Sequence, residues 1–142
     1  MENIYIEKAS PQDMEKILFY LEEYNLDWEN PSFEQFIIAR IDKNLAGFGR
    51  IKPYKSLYEL GSIGVIEEYR GKGIGEKIIT QLIKTCNANE IWLVTKIPDY
   101  FKKFGFFESL TPPDEIIQKS KRVCSNVCLS TEGICFMVLE KD

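Results

Sequence analysis

Arg70-Gly71-Lys72-Gly73-Ile74-Gly75 limits what this chain can fold into more than any other stretch. Ahead of it, residues 57–66 mix apolar and β-branched side chains with small ones and read as a buried strand. Behind it, Ile74, Ile78, Ile79, Leu82, Ile83 and Cys86 recur at helical spacing, with Lys77 and Lys84 left for solvent. A glycine-rich turn therefore joins a strand to the first turn of an amphipathic helix. Three alternating glycines let the backbone turn tightly and leave its N–H groups uncovered. Those donors add to the unpaired N–H groups and positive dipole end of the helix, which makes an anion site suited to phosphate or pyrophosphate.

Spacing separates the motifs that use such a turn. A dinucleotide-binding fingerprint, Gly-x-Gly-x-x-Gly counted from Gly71, needs glycine where Glu76 stands. A P-loop needs glycine at Ile66 and Ser or Thr at Gly73. What remains is Arg-x-x-Gly-x-Gly at Arg70, Gly73 and Gly75, and a purely structural glycine turn is the bland alternative. In its strand–helix context the hexapeptide resembles the pyrophosphate-binding motif of the GNAT superfamily, the acetyl-CoA-dependent N-acetyltransferases.

Composition narrows the classes. At 142 residues the chain is expected to close a single core as one domain, residues 1–142. No run approaches the length of a membrane span, and Met1-Glu2-Asn3 lacks a signal-peptide layout, so a cytoplasmic protein without a membrane partner is expected. A net charge of −4 argues against nucleic acid. Histidine is absent, which removes Ser-His and Cys-His nucleophile pairs and His-bearing metal sites. Cys124, Cys128 and Cys135 offer three thiolates to zinc at loose spacing without a fourth ligand. Reduced, small half-buried thiols are the expectation, with no metal.

In order, the chain predicts a strand at 3–7 and a helix opened by Ser10-Pro11, with Met14, Ile17, Leu18, Leu21 and Tyr24 on one face. A loop to Pro31, strands at 36–41 and 45–51, and the central strand and helix follow. A short apolar strand at 91–95, helical turns at 100–104, a strand opening at Phe106-Phe107, a short helix started by Pro112-Pro113-Asp114 and running to about Lys121, and a last strand at 134–140 complete it. This order matches the GNAT fold from end to end. The fold class expected is α/β (α+β), a mixed, mostly antiparallel sheet of six to seven strands flanked by helices on both faces. Tyr100-Phe101-Lys102-Lys103-Phe104-Gly105-Phe106 looks like that family's second marker, although core packing would also account for its aromatics. The form at Asp99 to Phe106 and the proline-bearing tail are similar to small amino-acid acetyltransferases of the acetylglutamate-synthase type.

The resemblance implies transfer of an acetyl group from acetyl-CoA to an amine by direct attack. It assigns the pyrophosphate to backbone N–H groups of Gly71, Lys72, Gly73, Ile74 and Gly75, with Arg70 opening the loop. It lays the pantetheine along Ile63, Gly64 and Val65 and turns the Val65 N–H toward the thioester carbonyl, where such a donor is typically worth ~3 kcal/mol. Gly61 and Gly64 fit a strand that bends and lets a ligand come close. Glu59, six residues before Val65, stands where histone-acetylating relatives use a glutamate as general base, and burial in a strand would suit it to that role. Regular alternation puts Glu59, Gly61, Ile63 and Val65 on one face, unless a splay changes the register.

The family's usual thiolate-protonating tyrosine is replaced by Phe101, which is expected to pack against the cofactor. Tyr100 is the neighbouring candidate acid. Tyr20, Tyr24, Trp28, Arg40 and Arg122 are candidates for the acceptor side, with Arg40 or Arg122 able to take a substrate carboxylate. The expected partner is a small-molecule amine; a homodimer stays open, as does a non-catalytic acetyl-CoA-binding module.

Overall fold

The computed structural model describes residues 3–126 and 133–141. Its strands are β1 (Ile4–Lys8), β2 (Phe36–Ile41), β3 (Asn44–Pro53), β4 (Tyr58–Val65), β5 (Glu90–Thr95), β6 (Phe107–Glu108) and β7 (Cys135–Glu140). The helices are α1 (Met14–Glu23), α2 (Ile74–Thr85), α3 (Pro98–Lys102) and α4 (Asp114–Asn126). All seven strands belong to one mixed sheet in the order β1-β2-β3-β4-β5-β7-β6, with β4 and β5 parallel. The chain divides into two compact units, Met1–Ile51 with Ser62–Cys86, and Lys52–Gly61 with Asn87–Asp142. No helix among the described residues is long and apolar enough to cross a membrane.

In the first unit, β1 and β2 pair antiparallel from Ile4↔Ile41 to Lys8↔Ile37. Asp42 and Lys43, both at positive φ, turn β2 back into β3. Apolar side chains of α1 and the sheet then bury one another: Ile17, Leu21, Phe36, Ile38, Phe48 and Ile66 form one core cluster. The helix face is narrower than its sequence suggests. Leu18, expected inside, is 45% exposed, because the core-facing stripe runs through Ile17 and Leu21 and Leu18 lies a quarter-turn away. On α2 the predicted stripe holds, with Ile74, Ile78, Ile79 and Leu82 all buried.

The start of α1 is pinned by Asp13. Its carboxylate accepts from the Ser10 N–H at 2.8 Å, the Ser10 hydroxyl at 3.0 Å and the Arg40 guanidinium at 2.6 Å. Burial alone would raise the Asp13 pKa, but these donors outweigh it and hold the carboxyl below its ordinary value. The folded form therefore binds this proton less readily than the unfolded chain does. The stabilisation is complete above the unfolded carboxyl's pKa of about 3.9 and is lost as pH falls through the lower folded value. Melting curves of wild type and Asp13→Asn should differ by a constant amount from neutral pH to about pH 4, and converge below it.

In the second unit, β5 pairs antiparallel with β7 through all six residues, Glu90↔Glu140 to Thr95↔Cys135. Leu57, Trp92, Ile116 and Val138 make its core, and α4 packs on β5. The predicted helix ending near Lys121 runs on to Asn126. Residues 119–126 are too polar for a continuous apolar stripe, so the pattern faded before the helix did. β6 is a stub of two residues on the edge of β7.

Candidate active site

The glycine loop of the first unit has the backbone its sequence demands. Gly71 and Gly73 lie at φ +84° and +75°, a region that side chains make costly, and Gly73 is the N-cap of α2. The first intrahelical bond is Lys77 N–H to the Gly73 carbonyl, so the N–H groups of the preceding turn point out of the helix. A Cβ built on Gly71 or Gly73 meets no atom within 4 Å. Space in front of a helix N-terminus with uncovered backbone donors is what a diphosphate requires, and the loop passes that test. Lys72 is exposed and Ile74 buried, so each supplies its main chain here. Arg70 turns back onto its own unit: its Nε donates to the Val65 carbonyl at 3.0 Å, and its guanidinium sits 5.0 Å from the centre of the Tyr24 ring.

Upstream of the loop, β4 departs from regular alternation. Ser62 has φ +52°, and the buried positions are Glu59, Leu60, Ser62 and Gly64, with Gly61, Ile63 and Val65 half-buried. Burial alternates from Leu60 to Val65, so the single face expected for residues 59, 61, 63 and 65 holds in burial for Gly61, Ile63 and Val65. It is corrected at Glu59, which is buried beside Leu60; Ser62 departs in its backbone, at positive φ. That conformation is held by Arg50, which is 1% exposed. Its Nε donates to Ser62 Oγ at 3.0 Å, Nη1 to Gln35 Oε1 at 2.9 Å and Nη2 to the Asp27 carbonyl at 3.0 Å. Ser62 Oγ donates to the same Asp27 carbonyl at 2.7 Å, and Asp27 Oδ1 pairs with Arg50 at 3.4 Å. Gly64 is glycine for a core reason, since a Cβ there would come within 2.5 Å of the Phe48 ring.

The second unit holds Glu59, 2% exposed. Tyr54 donates its hydroxyl to Glu59 Oε1 at 2.7 Å, and Lys119 of α4 reaches Oε2 at 2.5 Å. Lys52, also buried, places its ammonium 5.5 Å from the centre of the Tyr54 ring. Both carboxylate oxygens are therefore engaged, one by a half-buried tyrosine and the other by a buried lysine. Tyr54 and Lys119 were missed in the sequence; the one signal was a lysine one turn after Ile116 on the inner face of α4. Tyr100 is half-exposed with the Lys103 ammonium 4.3 Å from its ring centre. Phe101 is nearly buried in an aromatic cluster, its ring centre 5.1 Å from Tyr100 and 6.2 Å from Phe106.

On the acceptor candidates the structure is selective. Tyr20 and Tyr24 line an open groove of about 540 Å³ with Phe19, Ile66 and Glu67. Trp28 is 49% exposed. Arg40 is taken by Asp13 and, at 3.5 Å, by Glu7, so its charge serves the fold rather than a substrate carboxylate. The side chain of Cys124, and Cys128 altogether, lie outside the described residues; among the rest, no group of three metal-ligating side chains occurs.

β4, the glycine turn with its open front and α2 thus follow one another as strand, turn and helix within a few residues, an arrangement whose uncovered main-chain donors fit an anion. The chain belongs to the acetyltransferase (GNAT) family, whose family model matches residues 1–106. It is 30% identical over 95 residues to the uncharacterized N-acetyltransferase CT2212 of Chlorobaculum tepidum, and 33% identical over 89 residues to an N-alpha-acetyltransferase of Saccharolobus solfataricus. Those matches cover 64% and 57% of this chain and span 60% and 53% of the relatives. In fold it is similar to N-acetylglutamate synthase from Neisseria gonorrhoeae complexed with coenzyme A and N-acetyl-glutamate. That match has a TM-score of 0.75 at 16% identity, over 99% of this chain and 35% of that one.

Proposed function

We propose that this chain transfers the acetyl group of acetyl-CoA to the primary amine of a small molecule, an amino acid being the favoured class. The observation that carries the reading is the cradle at Gly71 and Gly73, open in front and built on the N-terminus of a twelve-residue helix, in a chain of this family. Acetyl-CoA supplies the acetyl group as a thioester, whose C–S bond breaks as the amine forms the new C–N bond. The backbone N–H groups of residues 71–75 hold the diphosphate, with Lys72 and Ile74 contributing main chain only. Ile63, Gly64 and Val65 present the end of β4 to the pantetheine arm, and the Val65 N–H is the donor for the carbonyl oxygen.

Glu59 takes the ammonium proton, directly or through water, while Tyr54 and Lys119 fix the carboxylate. Tyr100 is the candidate donor to the departing thiolate, and Phe101 packs at the base of that segment. Fold likeness to an N-acetylglutamate synthase supports an amino acid, whereas the name of the Saccharolobus solfataricus relative supports a peptide amino terminus. An amine panel that includes both, run with acetyl-CoA and read by release of free thiol, decides between them. Turnover on at least one amine is expected; coenzyme A binding without turnover on any would make the protein a non-catalytic binder. In the same assay Gly73→Val should weaken coenzyme A binding at least about tenfold, because its side chain fills the cradle and resists positive φ. Unchanged binding would remove the loop from the site.

A further inference from the structure

We propose that Tyr24, at the end of α1, is a positioning residue that braces the glycine-rich loop for its anion. Three contacts, all within the first unit, make the brace. The Glu67 N–H donates to the Tyr24 hydroxyl oxygen at 3.1 Å. The Arg70 guanidinium lies over the Tyr24 ring, 5.0 Å from its centre. Arg70 Nε donates to the Val65 carbonyl at 3.0 Å. One tyrosine thus ties the short helical turn at Glu67–Tyr69 to the arginine that opens the loop, and that arginine in turn fixes the last peptide of β4.

The stretch from Ile66 to Gly73 needs such a tie. Two of its residues are glycines at positive φ, and glycine is the residue with most conformational freedom to lose when an anion orders the loop. Tyr24 is itself well anchored. Its N–H closes the last turn of α1 on the Tyr20 carbonyl at 2.9 Å, and its ring packs 5.3 Å from that of Tyr20. The arginine side chain at the head of the motif is thereby turned toward the body of its own unit. Its contribution to anion binding runs through the direction of the loop amides, which a flat aromatic face and one hydroxyl oxygen hold in place.

This inference rests on the reading of residues 70–75 as the diphosphate cradle. Coenzyme A is titrated calorimetrically into the full chain and into Tyr24→Phe, Tyr24→Leu, Arg70→Ala and the Tyr24→Leu/Arg70→Ala double variant. Tyr24→Leu should weaken binding about three- to tenfold, and Tyr24→Phe, which keeps the ring and loses only the oxygen, about threefold. The double variant should bind no more weakly than the weaker single one, because each change opens the same brace. In turnover, the KM for acetyl-CoA should rise while kcat at saturation holds, a split that a general loss of folded protein would not give. Wild-type affinity in Tyr24→Phe and Tyr24→Leu, or losses that multiply in the double variant, would overturn the brace. Gly73→Val separates the two readings: if it binds normally the cradle fails, and if it fails while the Tyr24 variants bind normally only the brace falls.

Discussion

Replacing Lys119 by methionine is expected to cost about 3–5 kcal/mol of folding stability, because it strips the cation from a carboxylate held away from water. Glu59 is 2% exposed and the pair is close, so solvent cannot take the place of the ammonium. Adding Glu59→Gln to the same chain should return most of that loss. An amide of the same shape still accepts from Tyr54 and carries no charge to compensate. Denaturant titration of the four chains measures the cycle. Catalysis is expected to follow a different course. Glu59→Gln alone should lower kcat by roughly 10²–10⁴-fold, the usual worth of a positioned base, with coenzyme A affinity unchanged. A double variant with recovered stability and unrecovered kcat assigns the carboxylate to proton transfer. Recovery of both would leave Glu59 and Lys119 as a structural pair.

The features that escaped the sequence share a cause. β2 was readable to the residue, Phe36 to Ile41, because apolar and β-branched side chains there face two buried sides. The glycine turn was readable because only glycine takes φ of +75° and +84° without strain, so composition reports backbone shape directly. At Ser62 no such link exists. Serine at positive φ is unusual, and its conformation is set by Arg50 and Asp27, twelve and thirty-five residues away in sequence. Lys119 carries little signal, since a lone lysine in a polar helix does not point to a distant buried carboxylate. Leu18 errs the other way, an apolar residue at helical spacing left outside because the sheet met only part of the face. Periodicity reports local structure, whereas paired buried charges report contacts made only after folding.

Arg50→Met should destabilise the first unit by about 3–5 kcal/mol, and the damage should be local enough to map. The methionine replaces the packing of the stem but none of the guanidinium bonds, so Gln35 loses this donor, the Asp27 carbonyl keeps only that of Ser62, and the Asp27 carboxylate loses the guanidinium. These are the groups that hold the segment before β2 against the irregular part of β4. Amide exchange should therefore accelerate at residues 26–35 and 61–63, while the β1–β2 pairing, which shares none of these bonds, keeps its protection relative to global unfolding. Asp27→Asn in the Arg50→Met chain should restore part of the stability, since the uncompensated carboxylate is the costlier half of what is left behind. Ser62→Gly gives the complementary test. Glycine adopts φ +52° without strain but loses the hydroxyl that links Arg50 to Asp27, so its cost should be smaller, about 1–2 kcal/mol. Equal costs for Ser62→Gly and Arg50→Met would mean that the hydroxyl, and not the buried charge, holds Ser62 in its positive-φ conformation.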